Sequence, residues 1–230
     1  FAHQHILELA RWSSVPVING LSEYNHPCQA LADALTIQEH RGRLKGLSVA
    51  FIGDGNNVAT SLLHICAKLG ANFVIASPEG YDLPKPVVDL GRQFANESGA
   101  SLTLTRDVHA AAQQADVLYT DTWTSMGQEA ETEKRTAAFA GFQINAPLVA
   151  EARPAAIVMH CLPAHRGQEI TDEVADGPHS ALFPQAENRM HAQKAILVHL
   201  LSDSGKAPRP GSVRRPSSAR KKRVSARKRG

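Results

Sequence analysis

Hydrophobic and polar residues follow one another along most of the chain in the pattern of successive strands and helices. From Leu47 onward, five short apolar runs lack an in/out alternation and therefore predict strands buried on both faces. Stretches of helical period lie between them. Such a strand–helix–strand repeat predicts an α/β fold with a doubly wound parallel sheet covered by helices. The predicted strands are residues 47–52, 73–76, 102–104, 117–119 and 156–159, and the predicted helices are residues 57–69, 86–98, 107–115, 130–139 and 146–152.

The residues that flank this repeat predict four more elements. Residues 3–14 have the spacing of a helix, and residues 15–18 form a short apolar run that predicts a strand. A helix from Pro27 to about His40 has proline at its first position, where the missing N–H costs nothing. A last helix is predicted over residues 187–201. The expected parts of the chain are residues 1–45 together with helix 187–201, residues 46–186, and residues 202–230.

Positive charge is concentrated at the end of the chain. Residues 203–230 hold 11 of the 25 Lys and Arg residues and one of the 22 Asp and Glu residues, a formal charge of +10. The other residues then carry −7, although the whole chain is +3. Nucleic acid is therefore not an expected partner of the body of the protein. The tail is predicted to be disordered. It is either an arm whose residues 214–229 bind nucleic acid or another acidic surface, or an accidental extension.

The composition also bears on where the protein works. No run approaches 18 apolar residues, so a membrane span is not expected. Cys28, Cys66 and Cys161 are too few for a disulfide framework and lack the paired spacing of a zinc site. A reducing compartment, the cytoplasm, and no bound metal are predicted. The chain opens on Phe1 with no charged-then-apolar leader, so we expect a processed start or a fragment.

Polar and reactive side chains gather where the predicted strands end. Ligands of open parallel sheets bind beyond the carboxyl ends of the strands, so these segments predict one site at one edge. The four segments are Gly53–Asn57, Thr120–Gly127, His160–Pro163 and, in the leading part of the chain, His26–Gln29.

The turn after the first strand resembles half of a dinucleotide fingerprint. Gly53 and Gly55 have the right spacing, but position 58 is Val where the third glycine belongs, and no acidic residue closes the second strand. The amides of Asn56 and Asn57 suit a carboxylate or an amine better than a pyrophosphate. A dinucleotide-dependent oxidoreductase is therefore disfavoured, and a simple capped turn stays open.

Two helix starts carry groups suited to a small anion. Free N–H groups at a helix start favour anions, and His26 with Gln29 could there bind the carbonyl oxygen and NH2 group of an acyl donor. Arg189 in the first turn of the last helix opposes the helix dipole unless an anion binds beside it. An ordinary helix start, and a surface ion pair of Arg189 with Glu187 or Asp116, stay open as alternatives.

Asp121 and Cys161 each directly follow a predicted buried strand. A carboxylate at this place either caps the next helix or holds a cation. A thiol just beyond an apolar run is partly exposed and held in place, and it needs a nearby cation or helix start to become a thiolate. An inert cysteine is the alternative.

Taken together, these segments resemble the aspartate/ornithine carbamoyltransferase family. Aspartate-specific members share the His-Pro-x-Gln segment but lack a Ser-Met-Gly loop and this cysteine, so the resemblance is to the ornithine-specific members. It runs from Phe1 to about Leu201. The matching segments are His26-Pro27-Cys28-Gln29 for carbamoyl phosphate, Thr120–Trp123 with Ser125-Met126-Gly127 for ornithine, His160-Cys161-Leu162-Pro163 for catalysis, and Glu187-Asn188-Arg189 for the closing helix.

The resemblance implies roles for these residues. The substrate-binding residues would be His26, Pro27, Cys28, Gln29, Arg189, Cys161 and Leu162 around carbamoyl phosphate, and Asn57, Asp121, Ser125 and Met126 around ornithine. Cys161, Asp121 and His26 would be catalytic. His26 would stabilise charge on the carbonyl oxygen, and Cys161 beside Asp121 would help to deprotonate the amine.

The resemblance also implies a reaction and an assembly. A carbamoyl group would pass from carbamoyl phosphate to the δ-amine of ornithine, giving citrulline and phosphate without a cofactor. The enzyme would be a homotrimer, and the reaction would belong to arginine metabolism. Residues 1–45 would be a remnant of the carbamoyl-phosphate domain, and residues 46–186 a Rossmann-like ornithine-binding domain. The family's Ser-Thr-Arg-Thr phosphate loop does not occur in these residues, so impaired catalysis is expected. Another amine substrate, putrescine or acetylornithine, and a non-catalytic fragment stay open.

Overall fold

The centre of the protein is a five-stranded parallel sheet. The computed structural model describes residues 2–124 and 129–202, with the backbone alone for residue 129. The strand order is β3-β2-β1-β4-β5, so the chain winds outward from β1 in both directions, as predicted. The strands are β1 (Ser48–Ile52), β2 (Asn72–Ala76), β3 (Leu102–Thr105), β4 (Val117–Thr120) and β5 (Ile157–His160).

Helices cover both faces of this sheet. A 3-10 turn, Glu129–Glu131, directly precedes α6. The helices of the described residues are α1 (His3–Trp12), α2 (Pro27–Arg41), α3 (Asn57–Leu69), α4 (Lys85–Ser98), α5 (Val108–Ala112), α6 (Thr132–Ala138), α7 (Ala146–Glu151), α8 (Asp172–Ala175) and α9 (Leu182–Leu201).

The uninterrupted apolar runs follow from burial of both sheet faces. Successive side chains of a strand point to opposite faces. Val49 and Phe51 therefore enter a core shared with α3 and α4, whereas Ala50 and Ile52 enter a second core shared with α5, α7 and α8. All four are completely buried. With neither face in contact with water, no position of the strand has to be polar.

The last helix joins the leading segment to the sheet. α9 packs along α2, and the amide of Asn188 donates to the hydroxyl of Thr36 over 3.0 Å. α9 begins at Leu182, so the prediction that it begins at residue 187 is wrong. Pro184 lies in its first turn, where its missing N–H breaks no helical hydrogen bond. Arg189 is consequently two turns inside the helix, and the argument from the helix dipole does not apply to it.

Three other expectations need correction. Residues 15–18 form no strand, because no described strand lies beside them, and Val15 and Ile18 remain 66% and 40% exposed. The strand β3 was expected to be buried on both faces, but it lies at the edge of the sheet, and its residue Leu104 is partly exposed. The short helix α8 has no counterpart in the predictions.

Two predicted features lie outside the described residues. These are the Ser125-Met126-Gly127 loop and the basic tail over residues 203–230. Among the helices described, none combines the length and the apolar character needed to cross a membrane.

Candidate active site

The turn between β1 and α3 presents an asparagine to the carboxyl edge of the sheet. Asn56 is the N-cap of α3, and its side-chain oxygen accepts from the backbone N–H groups of Val58 and Ala59, each over 3.0 Å. The cap fixes the amide so that its NH2 group points away from the helix. That group donates to Asp121 Oδ2 over 2.7 Å.

Asp121 lies directly after β4, and its carboxylate contacts side chains that follow β1 and β5. Its Oδ1 accepts from the Cys161 thiol over 3.0 Å and from the backbone N–H of Thr122 over 2.8 Å. Burial, followed by the Asp121 charge, raises the pKa of Cys161 well above its ordinary value. Cys161 is therefore a protonated thiol that donates to the Asp121 carboxylate.

Buried hydrogen bonds fix the segment that carries Cys161. His160 is completely buried, its Nε2 lies 3.1 Å from Glu169 Oε1, and its Nδ1 accepts from the backbone N–H of Leu162 over 2.8 Å. The backbone N–H of His160 donates to Gln185 Oε1 over 2.8 Å. Leu162 has a φ of 57° and precedes a cis peptide bond to Pro163. Side chains thus hold both flanks of Cys161, in addition to the pairing of His160 with Thr120 of β4.

His26, Gln29 and Arg189 form a second cluster at the start of α2. Arg189 Nη1 donates to Gln29 Oε1 over 2.8 Å and lies 3.4 Å from His26 Nε2. Burial, and then the Arg189 charge, lower the pKa of His26 to about 4, although the nearby Asp121 opposes this shift. His26 is therefore neutral near pH 7. Its Nδ1 has no hydrogen-bond partner among the described residues.

Some predicted site residues have different surroundings from those expected. Asn57 donates to the carbonyl of Ser22 over 2.8 Å. The residue that contacts Asp121 is its neighbour Asn56, which is not among the predicted substrate-binding residues. The Cys28 side chain is buried, and its thiol lies 3.4 Å from the Asn19 carbonyl. Pro27 is the first residue of α2. Ser125 and Met126, predicted to bind ornithine, lie outside the described residues.

Four buried polar residues near the site were not predicted. Each lies in a stretch whose pattern predicts only a helix or a loop, and a polar side chain on the buried face was the one available signal. They are Asp33, Arg135, Glu169 and Gln185.

Arg135 anchors the segment that leads into residues 125–128. Its Nη1 donates to Asp54 Oδ2 and to the Trp123 carbonyl, both over 2.8 Å, and its guanidinium lies over the ring of Tyr81. A buried arginine with two such acceptors holds the backbone after Asp121 in one place.

One group of side chains has the composition of a metal site. Asp121, His160 and Cys161 offer ligand atoms within 4.8 Å of one another. Both nitrogens of His160 are engaged by Glu169 and Leu162, and the thiol is paired with Asp121. Because hydrogen bonds within the protein account for all three groups, we assign no metal to them.

Comparison with protein families gives this geometry a context. The family model described as "Aspartate/ornithine carbamoyltransferase, Asp/Orn binding domain" matches residues 45–200. The chain belongs to the aspartate/ornithine carbamoyltransferase family. A second model of that family, described as "carbamoyl-P binding domain", matches residues 1–39. His26 and Gln29 thus fall in the region that matches the carbamoyl-P model, whereas Arg189 and the cluster around Asp121 fall in the region that matches the Asp/Orn model.

Individual carbamoyltransferases of known name are similar over most of the chain. The ornithine carbamoyltransferase of Thermococcus kodakarensis is 56% identical over 198 residues, which are 86% of this chain and 63% of that protein. A relative from Pyrococcus furiosus, named as the anabolic enzyme, is 54% identical over 86% of this chain and 63% of its own length. The solved structure of the P. furiosus ornithine carbamoyltransferase has a TM-score of 0.83 at 54% identity, with 86% of this chain and 63% of that chain covered. The chain therefore spans about 63% of the length of these relatives.

Proposed function

We propose that this chain binds ornithine and carbamoyl phosphate and belongs to an ornithine carbamoyltransferase. The neutral δ-amine of ornithine attacks the carbamoyl carbon, a C–N bond forms, and the C–O bond to phosphate breaks. Phosphate leaves with the bonding electron pair, the proton lost by the amine nitrogen balances the charge, and citrulline is formed. Because the P. furiosus relative is named anabolic, we assign the reaction to arginine biosynthesis.

The proton of the incoming amine is the first obstacle. An alkylammonium group has a pKa near 10, so most of the substrate is protonated at neutral pH and cannot attack. The Asp121 carboxylate is 8% exposed and already accepts two side-chain donors, Cys161 and Asn56. In this proposal Asp121 receives the proton, and Cys161 keeps the carboxylate in position instead of acting as the base.

The carbonyl oxygen needs donors as charge builds on it. His26 is neutral, so its imidazole can donate one hydrogen bond without adding a charge, and Arg189 beside it supplies a cation. Donors held in place before reaction stabilise the transition state more than mobile water does. His26 and Arg189 would take these two roles.

One observation carries the proposal more than any other. The Asp121 carboxylate contacts Cys161 and Asn56 at the junction of three strand ends and is close enough to His26 to affect its pKa. The carboxylate proposed to accept the proton and the imidazole proposed to bind the carbonyl oxygen are thus near each other at one edge of the sheet. This is the arrangement that transfer between an amine and an acyl phosphate requires.

Binding experiments with matched amines test the substrate. The chain is titrated with ornithine, putrescine and N-acetylornithine in the presence of carbamoyl phosphate, followed by NMR chemical shifts. We expect ornithine alone to shift signals of residues around Asp121 and Cys161, and Asp121→Asn to weaken this at least tenfold, the loss expected for about 1.5–3 kcal/mol of charged hydrogen bonding. If putrescine bound as tightly as ornithine, ornithine would not be the specific amine substrate of this chain. NADH serves as the negative control.

Turnover by these 230 residues alone should be low. They contain no Ser-Thr-Arg-Thr segment, and each charge-assisted bond that such a segment gives to phosphate is worth about 1.5–3 kcal/mol. We expect citrulline formation at least about a hundredfold below that of the T. kodakarensis relative, which follows from the loss of two such bonds. A rate equal to that of the relative contradicts this part of the proposal.

The assembly and the location of the protein are proposed from separate observations. All three cysteines are unpaired, in keeping with a reducing compartment, and we propose the cytoplasm. The family resemblance supports a homotrimer. Sedimentation equilibrium of the chain gives its mass directly, and a monomer at micromolar concentration would refute the trimer for this chain.

A further inference from the structure

A completely buried carboxylate lies beneath the proposed acyl-phosphate pocket. Asp33, in the second turn of α2, is 0% exposed. Its Oδ1 accepts from Gln29 Nε2 over 2.8 Å and from Gln185 Nε2 over 2.7 Å, and its Oδ2 accepts from the Tyr119 hydroxyl over 3.2 Å. It therefore connects α2, α9 and β4 at one point. None of the motifs that identify the family's substrates contains it.

A carboxylate dictates which way a neighbouring amide faces. Both oxygens of Asp33 accept hydrogen bonds, so the NH2 groups of Gln29 and Gln185 point at Asp33 and their oxygens point away. The oxygen of Gln29 faces Arg189 over 2.8 Å, on the side of His26. The oxygen of Gln185 accepts from the backbone N–H of His160, next to Cys161. One side chain thus orients an amide in each of the two substrate clusters.

We propose that Asp33 is a positioning residue that makes Gln29 a hydrogen-bond acceptor toward the acyl phosphate and so selects a carbamoyl over an acetyl group. This inference rests on the proposed function. Carbamoyl phosphate and acetyl phosphate have nearly the same shape, but only the first presents an NH2 group. A second lone pair remains on Gln29 Oε1 beside the one used by Arg189, and it can accept from that NH2 group.

Without Asp33 the Gln29 amide loses the acceptor of its NH2 group, and only the donor Arg189 still favours its present orientation. A rotated amide would place its NH2 group beside the Arg189 guanidinium, donor against donor, and would offer a carbamoyl NH2 group nothing to bind. Acetyl phosphate, which has a methyl group there, would lose little. The preference between the two ligands therefore reports the orientation of Gln29, whereas a general loosening of the pocket would weaken both ligands alike.

Three variants of the full chain test the proposal. Asp33→Leu has a similar volume and no acceptor, and Asp33→Asn keeps one acceptor oxygen without the charge. Asp116→Leu is the matched control, because Asp116 is also buried, at 4% exposure, but precedes β4 at the opposite edge of the sheet and pairs with Arg41. Dissociation constants for carbamoyl phosphate and acetyl phosphate are measured by NMR titration, together with the side-chain NH2 signals of Gln29 and Gln185.

The expected results separate positioning from stability. One hydrogen bond corresponds to a preference for carbamoyl phosphate of about twofold to twelvefold in the wild-type chain and in Asp116→Leu. Asp33→Leu should bring this ratio to within about twofold of unity and should expose both glutamine NH2 groups to rapid exchange. Asp33→Asn should keep the preference but move these NH2 signals upfield, since a neutral acceptor forms weaker hydrogen bonds than a charged one.

Each failure has a distinct meaning. An unchanged ligand preference or unchanged Gln29 NH2 signals in folded Asp33→Leu overturn the proposal. If Asp33→Leu does not fold, unmoved NH2 signals in Asp33→Asn overturn it instead. If the wild-type chain binds neither acyl phosphate, the proposed function fails, and the NH2 signals alone then decide whether Asp33 positions Gln29.

Discussion

The hydrogen bond between Cys161 and Asp121 sets the chemistry of both side chains. The thiol donates over 3.0 Å, and burial together with the neighbouring carboxylate raises its pKa. Removing the charge in Asp121→Asn should lower the pKa of Cys161 toward that of an ordinary thiol. Since the thiolate is the reactive form, we expect iodoacetamide to alkylate Cys161 about threefold to tenfold faster at pH 8.

Mass spectrometry of the alkylated peptides separates Cys161 from the other two cysteines. Cys28 and Cys66 are buried, and burial raises the pKa of both thiols, so they should react slowly in every variant. Asp116→Asn, at the far edge of the sheet, should leave the Cys161 rate unchanged. If Asp121→Asn also left it unchanged, the carboxylate would not control this thiol.

The ionisation of Asp33 should make stability depend on pH. Burial raises its pKa from 3.8 to about 7 against the opposing effects of Gln29, Gln185, Tyr119 and the Arg189 charge. The unfolded chain loses this proton near pH 4 and the folded chain only near pH 7, so the folded state holds more protons in between. Stability from this group is therefore fully present below about pH 4 and is lost as the pH rises to about 7, a cost of about 4 kcal/mol.

Asp33→Asn should remove this slope. Urea unfolding at several pH values between 4 and 8 gives the free energy of unfolding, and the difference between variant and wild type should grow in favour of the variant as the pH rises. Of the other ionisable groups that act on Asp33, Cys66, Cys161 and Tyr119 stay protonated over this range because their pKa values are raised, and the Arg189 guanidinium stays charged. Parallel curves for the two proteins would show that Asp33 does not titrate there.

At the scale of the element, the turn between β1 and α3 depends on a glycine for close packing. A Cβ at Gly55 would lie 2.3 Å from the backbone nitrogen of Leu83 and 2.4 Å from the backbone carbon of Asp82. Backbone atoms cannot move aside as a flexible side chain can, so the turn itself must shift. Gly55→Ala should lower the free energy of unfolding by about 1–3 kcal/mol and disturb the Asn56 cap.

Gly20→Ala is the matched control for this prediction, because a Cβ there meets no atom within 4 Å. Urea unfolding of both variants measures the difference. A Gly55→Ala protein as stable as Gly20→Ala would mean that the turn and the segment at residues 81–83 are not in close contact.

The elements that the sequence predicts well are those that bury both faces. β1 and α3 lie where they are predicted because an apolar run between turn residues has few alternatives. The errors have local causes: Pro184 hides the true start of α9, and residues 15–18 are apolar but find no described strand to pair with. Periodicity records the burial of a segment, but it does not record whether a hydrogen-bonding neighbour exists.

The same limit explains which parts of the site could be predicted. Asp121 and Cys161 directly follow strands, and the rule that ligands bind at strand ends brings them together without coordinates. The sequence offers both Asn56 and Asn57 and the family resemblance points to Asn57, since only the geometry of the cap shows that Asn56 turns toward Asp121. The contact of Asp33 with Gln185 spans 152 residues and depends on how α2 and α9 are aligned. No local pattern contains that alignment.

At the scale of the whole molecule, both ends of the described chain are weakly held. α1 has no buried residue, and the buried residues of α9 all lie between Leu182 and Ala192. By contrast, α3 buries eight residues against β1 and its neighbours. An isolated helix of about ten residues is marginal in water, and local opening is easiest where few apolar contacts must break.

Amide hydrogen exchange should therefore divide the chain into two classes. We expect amides of α1 and of residues 193–201 to open with free energies below about 2 kcal/mol, while those of β1 and α3 open only with global unfolding. Exchange at pH 7 followed by mass spectrometry measures each segment from its own peptides. The internal control is α2, which lies between α1 and β1 in the sequence. Because α2 is fastened to α9 and β4 through Asp33, it should exchange with the slow class. Protection of α1 equal to that of α3 would mean that this helix is covered in solution, and the copy or partner that covers it would then appear as a larger mass in sedimentation.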